Sequence, residues 1–286
     1  MKLATYEHQG RVSFGVVQDD GVVDLQRLLN GRYADLKALL AADAVQEARA
    51  AAQGQSADVP LDQLRWLPVV PNPDKIVCIG LNYHAHVEET GRTVTASPTL
   101  FLRLTDSQVG AEQDMLRPQV SQRFDYEGEI AVIIGRGGRH IAAEQAWSHV
   151  AGYSCYNDGS VRDWQVATSQ WTPGKNFYRT GAFGPWVVTA DAIAPGQNMT
   201  LVTRLNGQEM QRATTDMMIH SIPAQIAYIS TFIPLLPGDV LVTGTPGGVG
   251  NKRDPQVFMK PGDVVEIEVD AVGVLRNTIA DDAGVV

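Results

Sequence analysis

Two glutamates, Glu127 and Glu129, are separated by a single residue and followed at once by the apolar run 130–134. Because this run is rich in β-branched residues, we predict an extended strand in which alternate side chains share a face. Two carboxylates on one face repel each other unless a proton or a cation lies between them. The usual cation for such oxygen ligands is a hard divalent ion. The pair therefore supplies the first candidate metal ligands.

A third carboxylate, Asp158, lies where a short apolar strand reaches a polar turn. Three acidic oxygens completed by water match the near-octahedral, all-oxygen preference of Mg²⁺ or Mn²⁺. We predict one such ion per chain, bound by Glu127, Glu129 and Asp158. From the spacing alone an alternative stays open, in which the glutamates line a solvated strand face and Asp158 stabilises a turn.

A possible general base is found in the segment 84–90, which is predicted to be a short helix. His86 and Glu89 are three residues apart and would share one side of that helix. A carboxylate beside an imidazole orients the ring and raises its basicity, as the activation of water requires. The alternative is an exposed first helical turn, where acidic residues are common.

Further polar groups follow Asp158 and recur near the C-terminus. Lys175, in a glycine-flanked turn, could meet a carboxylate or a developing enolate as a point charge. We expect Arg162 and Asp163 to form a structural ion pair. The glycine-rich loop after strand 239–243 can offer backbone N–H groups and the Thr245 hydroxyl to an anion. It lacks the Gly-Lys-Ser/Thr ending of a phosphate-binding P-loop.

The composition excludes several classes of partner. With 23 Lys plus Arg against 32 Asp plus Glu, the formal charge is −9, so we expect no nucleic-acid surface and no anionic-membrane surface. The two cysteines, Cys78 and Cys155, lie far apart and are predicted to be buried free thiols. No apolar stretch approaches a signal core or a membrane span, and we expect a cytoplasmic protein.

The elements that must position these residues are mostly strands. Residues 1–25 have the pattern of a small β-meander, 25–53 of a helical segment, and the prolines between 60 and 73 mark a boundary near residue 70. We therefore predict a small domain over 1–70 and a catalytic domain over 71–286. Further strands are expected at 76–80, 99–104, 130–134, 185–189, 200–205, 208–213, 239–243 and 263–269, and helices at 143–150 and 222–232. Asn206-Gly207 predicts a type I′ hairpin turn.

Taken in order, these segments resemble the fumarylacetoacetate hydrolase family. Its members carry a Gly-x-Asn-Tyr-x-x-His segment, an acidic-x-Glu-x-Glu strand, an Asn-Asp turn and a Thr-Gly-Thr-Pro loop, all found here within about residues 74–275. The resemblance implies a β-rich α+β fold, a mixed β-roll or β-sandwich of the fumarylacetoacetase C-terminal type, with a small N-terminal α+β domain. It also implies a homodimer.

The resemblance implies roles for individual residues as well. They are a metal triad of Glu127, Glu129 and Asp158, a His86–Glu89 dyad, and substrate contacts from Gln165, Lys175 and Thr245. Some members have a fourth metal carboxylate in the region that here reads Cys78-Ile79-Gly80, so this chain resembles the three-carboxylate branch. Arg103 stands where many relatives have lysine, and we expect it to contact the distal end of the substrate.

The implied reaction is hydrolysis of a C–C bond in a 2,4-diketo acid of the acylpyruvate type. A divalent ion would hold the carboxylate and the 2-keto oxygen, His86 would take a proton from water, and Lys175 would stabilise the departing enolate. Decarboxylation of a 2-oxo acid such as oxaloacetate, or isomerisation of a hydroxymuconate-type diacid, stays open because the metal residues are common to all three activities. The non-enzymatic alternative is a protein that binds a 2-oxo acid without catalysing a reaction.

Overall fold

The structure, a computed structural model, describes residues 1–284. Its strands, β1–β19 in chain order, are Lys2–His8, Arg11–Val17, Gly21–Asp24, Val59–Pro60, Arg65–Trp66, Ile76–Gly80, Thr99–Arg103, Gln108–Val109, Met115–Arg117, Phe124–Asp125, Gly128–Ile134, Val150–Asn157, Ser160–Val161, Gly181–Thr189, Thr200–Leu205, Gln208–Thr214, Val240–Val242, Val264–Val269 and Gly273–Asp281. The helices, α1–α7, are Leu25–Leu28, Leu36–Ala41, Val45–Ala52, His84–Thr90, Arg162–Gln165, Thr172–Lys175 and Ile222–Phe232.

Most strands belong to one mixed sheet. Twelve strands form it, in the main order β4-β3-β2-β1-β14-β12-β11-β17-β6-β7, with β5 beside β1 and β8 beside β14. A second sheet has the order β16-β15-β18-β19-β9, and β10 pairs with β13. The protein is thus a strand-rich α+β structure, as the sequence predicts.

The central strand β11 is covered on both faces. Ile130 and Val132 pack into one hydrophobic cluster, whereas Ala131 and Ile133 pack into the other. Burial on both faces explains why the run is apolar without alternation. This strand and its neighbour β12 form a rigid base for the polar groups at their shared end.

The N-terminal segment joins the same sheet, because β1 pairs antiparallel with β14. The division at residue 70 therefore stays a prediction, and the last two residues of the predicted catalytic domain, 285 and 286, lie outside the described residues. The predicted hairpin turn is confirmed, since Asn206 and Gly207 have φ of 52° and 79° and join β15 to β16.

The helical segment predicted over 25–53 consists of three short helices, α1, α2 and α3. They are separate because Asn30, Gly31 and Asp43 adopt left-handed backbone angles that end the helical turns. Asp24 and Asp35 then cap α1 and α2 by accepting from backbone N–H groups. The segment 143–150 forms 3₁₀ turns over Ala143–His149. The helix at 222–232 is confirmed.

Among residues 1–284, no helix combines the length and the apolar character that crossing a membrane would need.

Candidate active site

The three predicted metal ligands lie together at one end of β11 and β12. These strands are antiparallel neighbours in which Glu129 is opposite Tyr156, so Glu129 and the residue after β12, Asp158, come to the same edge. The Asp158 amide donates to the Glu127 carbonyl at 2.8 Å, which fixes the two segments to each other. One oxygen of each carboxylate, from Glu127, Glu129 and Asp158, lies within 4.8 Å of the others, and all three side chains are buried.

Lys175, from the end of α6, lies against this group. Its ammonium donates to Glu127 Oε2 at 2.7 Å, to Asp158 Oδ2 at 2.6 Å and to the Ser160 hydroxyl at 2.7 Å. Burial alone would lower the pKa of Lys175, but the Asp158 and Glu127 carboxylates raise it above its ordinary value. The two carboxylates therefore favour the charged form of Lys175 in this site.

Two further residues, Asp125 and Arg162, complete the buried network and were not among the predicted site residues. Arg162 lies 2.7 Å from Asp125 Oδ2 and 2.6 Å from Glu127 Oε1. The expected Arg162–Asp163 pair is wrong, since Asp163 accepts instead from the Ser121 hydroxyl at 2.7 Å. A signal was available in the sequence, because Asp125 stands two residues before Glu127 and continues its spacing.

The buried carboxylates outnumber the buried cations around them. Four carboxylates, Asp125, Glu127, Glu129 and Asp158, lie with three cations, Arg103, Arg162 and Lys175, so full ionisation would leave one negative charge unpaired. Burial would raise the pKa of Glu127, but the Lys175 and Arg162 cations lower it below its ordinary value. Burial, with repulsion from Asp158 and Glu127, raises the pKa of Glu129 well above its ordinary value. Glu129 is thus the carboxylate whose ionised form the protein's own cations stabilise least.

These residues fit a divalent cation. Three buried carboxylates converge, their donor set consists only of oxygen, and Glu129 has no ion pair with a cation among residues 1–284. Oxygen-only sites of this type suit Mg²⁺, Mn²⁺ or Ca²⁺ rather than softer ions.

His86 and Glu89 contact each other as their spacing predicts. His86 Nδ1 lies 2.7 Å from Glu89 Oε1, and Glu89 Oε2 accepts from the Gly248 amide at 2.8 Å. Because a carboxylate accepts hydrogen bonds, the neutral ring carries its proton on Nδ1, which leaves Nε2 as the basic nitrogen. His86 is buried and lines the same cavity as Glu127 and Glu129.

The glycine-rich loop closes around the carboxylates through its backbone. The Gly244 amide donates to Glu129 Oε2 at 2.5 Å, and the Thr245 hydroxyl donates to the Gly128 carbonyl at 3.0 Å. Gly244 has φ of +103°, and a Cβ there would lie 2.6 Å from the Cβ of Asn82. Only glycine allows the loop to approach this closely.

Three of the predicted substrate-contacting residues line one cavity, whereas Arg103 is not among its lining residues. A cavity of about 150 Å³ is lined by Gln165, Lys175 and Thr245, together with His86 and the two glutamates. The Arg103 side chain is fully buried and binds Asp158 Oδ1 at 2.5 Å, the Gly159 carbonyl at 3.0 Å and the Thr180 hydroxyl at 2.9 Å. These contacts make Arg103 a residue that positions Asp158; its contact with substrate stays a prediction.

The family follows from comparison with known proteins. Residues 75–280 match the model of the fumarylacetoacetate (FAA) hydrolase C-terminal family. The chain belongs to this family. The fumarylacetoacetate hydrolase family resemblance drawn from the ordered motifs is thereby confirmed, together with the strand-rich α+β fold.

Relatives within the family have different activities. The mitochondrial oxaloacetate tautomerase FAHD2A of Homo sapiens is 40% identical over 234 residues, which are 81% of this chain and 74% of the relative. A solved maleylpyruvate hydrolase from Sphingobium sp. SYK-6, in complex with manganese (II) and pyruvate, has a TM-score of 0.82 and 29% identity over 98% of this chain and 99% of its own. A 5-carboxymethyl-2-hydroxymuconate delta-isomerase from Mycobacterium smegmatis has a TM-score of 0.78 and 29% identity over 99% of this chain and 100% of its own.

Proposed function

We propose that this protein is a divalent-metal-dependent hydrolase that cleaves a C–C bond in a 2,4-diketo acid to give pyruvate and a carboxylic acid. The observation that carries the proposal is the His86–Glu89 pair in the same cavity as the three carboxylates and Lys175. Hydrolysis needs an activated water next to a site that stabilises an enolate, and this cavity contains groups suited to both tasks.

A bound divalent ion would supply Lewis-acid stabilisation of negative charge on the carboxylate and 2-oxo group of the substrate. Magnesium and manganese both suit the donor set, and the relative solved with manganese and pyruvate supports an ion of this kind. Glu127, Glu129 and Asp158 are the residues that would hold it.

The protein's own groups account for the remaining steps. His86 Nε2 takes a proton from water while Glu89 holds the opposite nitrogen, and the hydroxide adds to the distal carbonyl carbon. The bond between that carbon and the adjacent methylene breaks, and its electron pair leaves on the pyruvate enolate. Lys175, which burial among carboxylates keeps protonated, offsets the charge of that enolate. A proton returned to the methylene carbon completes pyruvate.

A second candidate is the tautomerisation of oxaloacetate, favoured by the activity named for the relative that is 40% identical. The same base would move a proton between carbon and solvent without adding water to a carbonyl. Decarboxylation of a 2-oxo acid and isomerisation of a hydroxymuconate-type diacid use the same enolate chemistry, and the isomerase among the structural relatives supports including them.

The reaction classes separate in one experiment. The protein loaded with Mn²⁺ or Mg²⁺ is given acylpyruvates, oxaloacetate and hydroxymuconate-type diacids in ¹⁸O-labelled water, and products are followed by NMR and mass spectrometry. A hydrolase places solvent oxygen in the carboxylic acid and forms pyruvate in equal amount. If the protein interconverts the enol and keto forms of oxaloacetate and cleaves no substrate, it is a tautomerase and the hydrolase proposal is wrong. Tight binding of pyruvate without turnover of any member of the panel would leave only a binding protein.

We further propose a homodimer, as the family resemblance implies. Multi-angle light scattering on the purified chain measures it directly, and a monomer mass at micromolar concentration would contradict it.

A further inference from the structure

Two cations at the rim of the active-site cavity are not used by the reaction described above. Arg92 and Lys252 both line the cavity and are both exposed. Within residues 1–284 neither forms an ion pair with a carboxylate, whereas the inner cations Arg103, Arg162 and Lys175 are all paired. The rim therefore has positive charge that the protein itself does not neutralise.

Arg92 is held at the rim by aromatic stacking. Its guanidinium lies 5.4 Å from the centre of the Trp171 ring, and Trp171 packs edge-on against Phe101 at 5.5 Å. The Lys175 ammonium lies 4.9 Å from the centre of the Phe101 ring. Two aromatic rings thus separate the inner cation from the outer one along one wall of the cavity. A guanidinium stacked in this way keeps its N–H donors directed outward from the ring edge and available to a ligand.

Lys252 lies on the turn Gly250–Lys252, which is fixed to the buried network. The Asp125 carboxylate accepts from the amides of Gly250 and Asn251 at 2.8 and 2.9 Å. Asn251 also lines the cavity, and its side-chain oxygen accepts from Arg123 at 2.7 Å. The backbone of this turn is therefore positioned by the same carboxylate that binds Arg162.

We propose that Arg92 and Lys252 bind a second carboxylate, at the end of the substrate remote from the 2-oxo acid group. The inference rests on the proposed function and specifies its substrate class as dicarboxylic 2-oxo or diketo acids rather than acylpyruvates with an apolar end. The inner site with a divalent ion would bind the 2-oxo acid head, and the rim binds the distal anion. An apolar acyl group would instead desolvate two cations without compensating them, which costs free energy.

The test uses two stable ligands that share the 2-oxo acid head and chain length, 2-oxoglutarate and 2-oxopentanoate, which differ only in the terminal carboxylate. Calorimetric titration of the manganese-loaded protein gives the ratio of their dissociation constants. We expect about tenfold or greater preference for 2-oxoglutarate, decreasing with added salt as an exposed ionic contact must. Arg92→Gln and Lys252→Gln should each reduce the preference about threefold to tenfold, and the double variant should abolish it.

Matched controls are Arg139→Gln and Lys260→Gln, which remove exposed cations that do not line the cavity. They should leave the preference unchanged. Equal binding of both ligands by the parent protein, or an unchanged preference in the double variant, would overturn the proposal.

Failure of the subsite is distinguishable from failure of the proposed function. If the parent prefers 2-oxoglutarate through the rim cations but cleaves no diketo acid, hydrolysis is wrong and the subsite stands. If it cleaves acetylpyruvate and fumarylpyruvate with equal kcat/KM, hydrolysis stands and the subsite is wrong. Absence of binding by both ligands, together with no cleavage of any diketo acid, would overturn both. Where both hold, Arg92→Gln should raise KM for fumarylpyruvate with little change in kcat, because the distal contact is the same in ground and transition states.

Discussion

The Lys175 ammonium lies 2.7 Å from Glu127 Oε2 and 2.6 Å from Asp158 Oδ2, so one buried cation binds two of the three candidate metal ligands. Glu129 contacts neither Lys175 nor Arg162 within residues 1–284; its side chain accepts from the Gly244 amide. A divalent ion would therefore add positive charge beside Glu129, the carboxylate of the triad that no cation in the described part of the chain contacts. Lys175 organises the triad, and its side chain lines the cavity.

Replacing Lys175 with methionine should cost both activity and stability. The buried Glu127 and Asp158 carboxylates would lose their shared cation, and breaking a buried pair of this kind costs about 3–5 kcal/mol. We expect the midpoint of thermal unfolding to fall in metal-free protein and to recover in part with Mn²⁺, because the ion replaces some of the lost charge. Turnover should not recover, since Lys175 also stabilises the enolate. Lys260→Met is the matched control, and recovery of full kcat with metal would contradict the catalytic role.

The dyad makes a graded prediction. His86→Ala should lower kcat for acylpyruvate hydrolysis by about 10²–10⁴-fold, the usual contribution of a general base. Glu89→Gln keeps the shape and can still bond to the ring, so a smaller loss in kcat, about tenfold, is expected. Pyruvate affinity, measured by calorimetry, should change little in either variant. A His86→Ala protein that hydrolyses at the parent rate would show that another group activates water.

Glu129→Gln should weaken metal binding without lowering the stability of the metal-free protein. Removing the carboxylate relieves repulsion from Asp158 and Glu127, so the metal-free variant is expected to unfold at a temperature equal to or above that of the parent. The parent should gain about 2.7 kcal/mol when Mn²⁺ is present at 100 times its dissociation constant, and the variant should gain much less. Differential scanning calorimetry with and without Mn²⁺ measures both effects. An equal metal-induced increase in the two proteins would remove Glu129 from the ligand set.

Asp125→Asn should be destabilising although Asp125 is not a proposed metal ligand. Its fully buried carboxylate binds Arg162 Nε at 2.7 Å and two amides of the loop, and loss of the charge leaves the guanidinium with one fewer partner. We expect a loss of about 3 kcal/mol in the free energy of unfolding, measured in urea. The neighbouring Asp163→Asn should cost far less, because Asp163 has no ion pair with Arg162 in the structure. If Asp163→Asn destabilised the protein more than Asp125→Asn, the result would support the Arg162–Asp163 pair expected from the sequence.

The site could be predicted largely because its ligands are close in sequence or tied to strand ends. Glu127 and Glu129 follow from spacing, and Asp158 from the polar turn after an apolar strand, since both patterns are local. The partners of Arg162 and Arg103 could not be predicted in the same way. Each cation reaches a carboxylate more than thirty positions away, and only the register of β11 with β12 and the path of α5 and α6 decide which one it meets. For the same reason, adjacency in sequence wrongly predicts an Arg162–Asp163 pair.

For the fold, too, the sequence predicts local elements better than features that depend on tertiary packing. The sequence predicts strands with strong β-branched runs to within a few residues, whereas it does not predict the breaks within the helical segment 25–53. Alanine and leucine favour helix throughout it, but left-handed residues at Asn30 and Asp43 interrupt it so that α1–α3 can pack on the sheet. Strand β19, at Gly273–Asp281, was not predicted, because polar residues interrupt its apolar pattern at Arg276 and Asn277.

Gly80→Ala tests the wall that separates the inner and outer cations. A Cβ at this position would lie 2.5 Å from Trp171 Cζ3 and 2.9 Å from Cη2, so the indole must move away from Phe101 or from Arg92. We expect a loss of the preference for dicarboxylic ligands with Mn²⁺ affinity retained, because the carboxylate triad lies on other strands. Trp171→Leu should lose the same preference, and adding Gly80→Ala to it should cost little more, since the clash is gone. Calorimetry on the four proteins gives the coupling between the two sites. Additive losses would show that Gly80 acts on the cavity by a route other than Trp171.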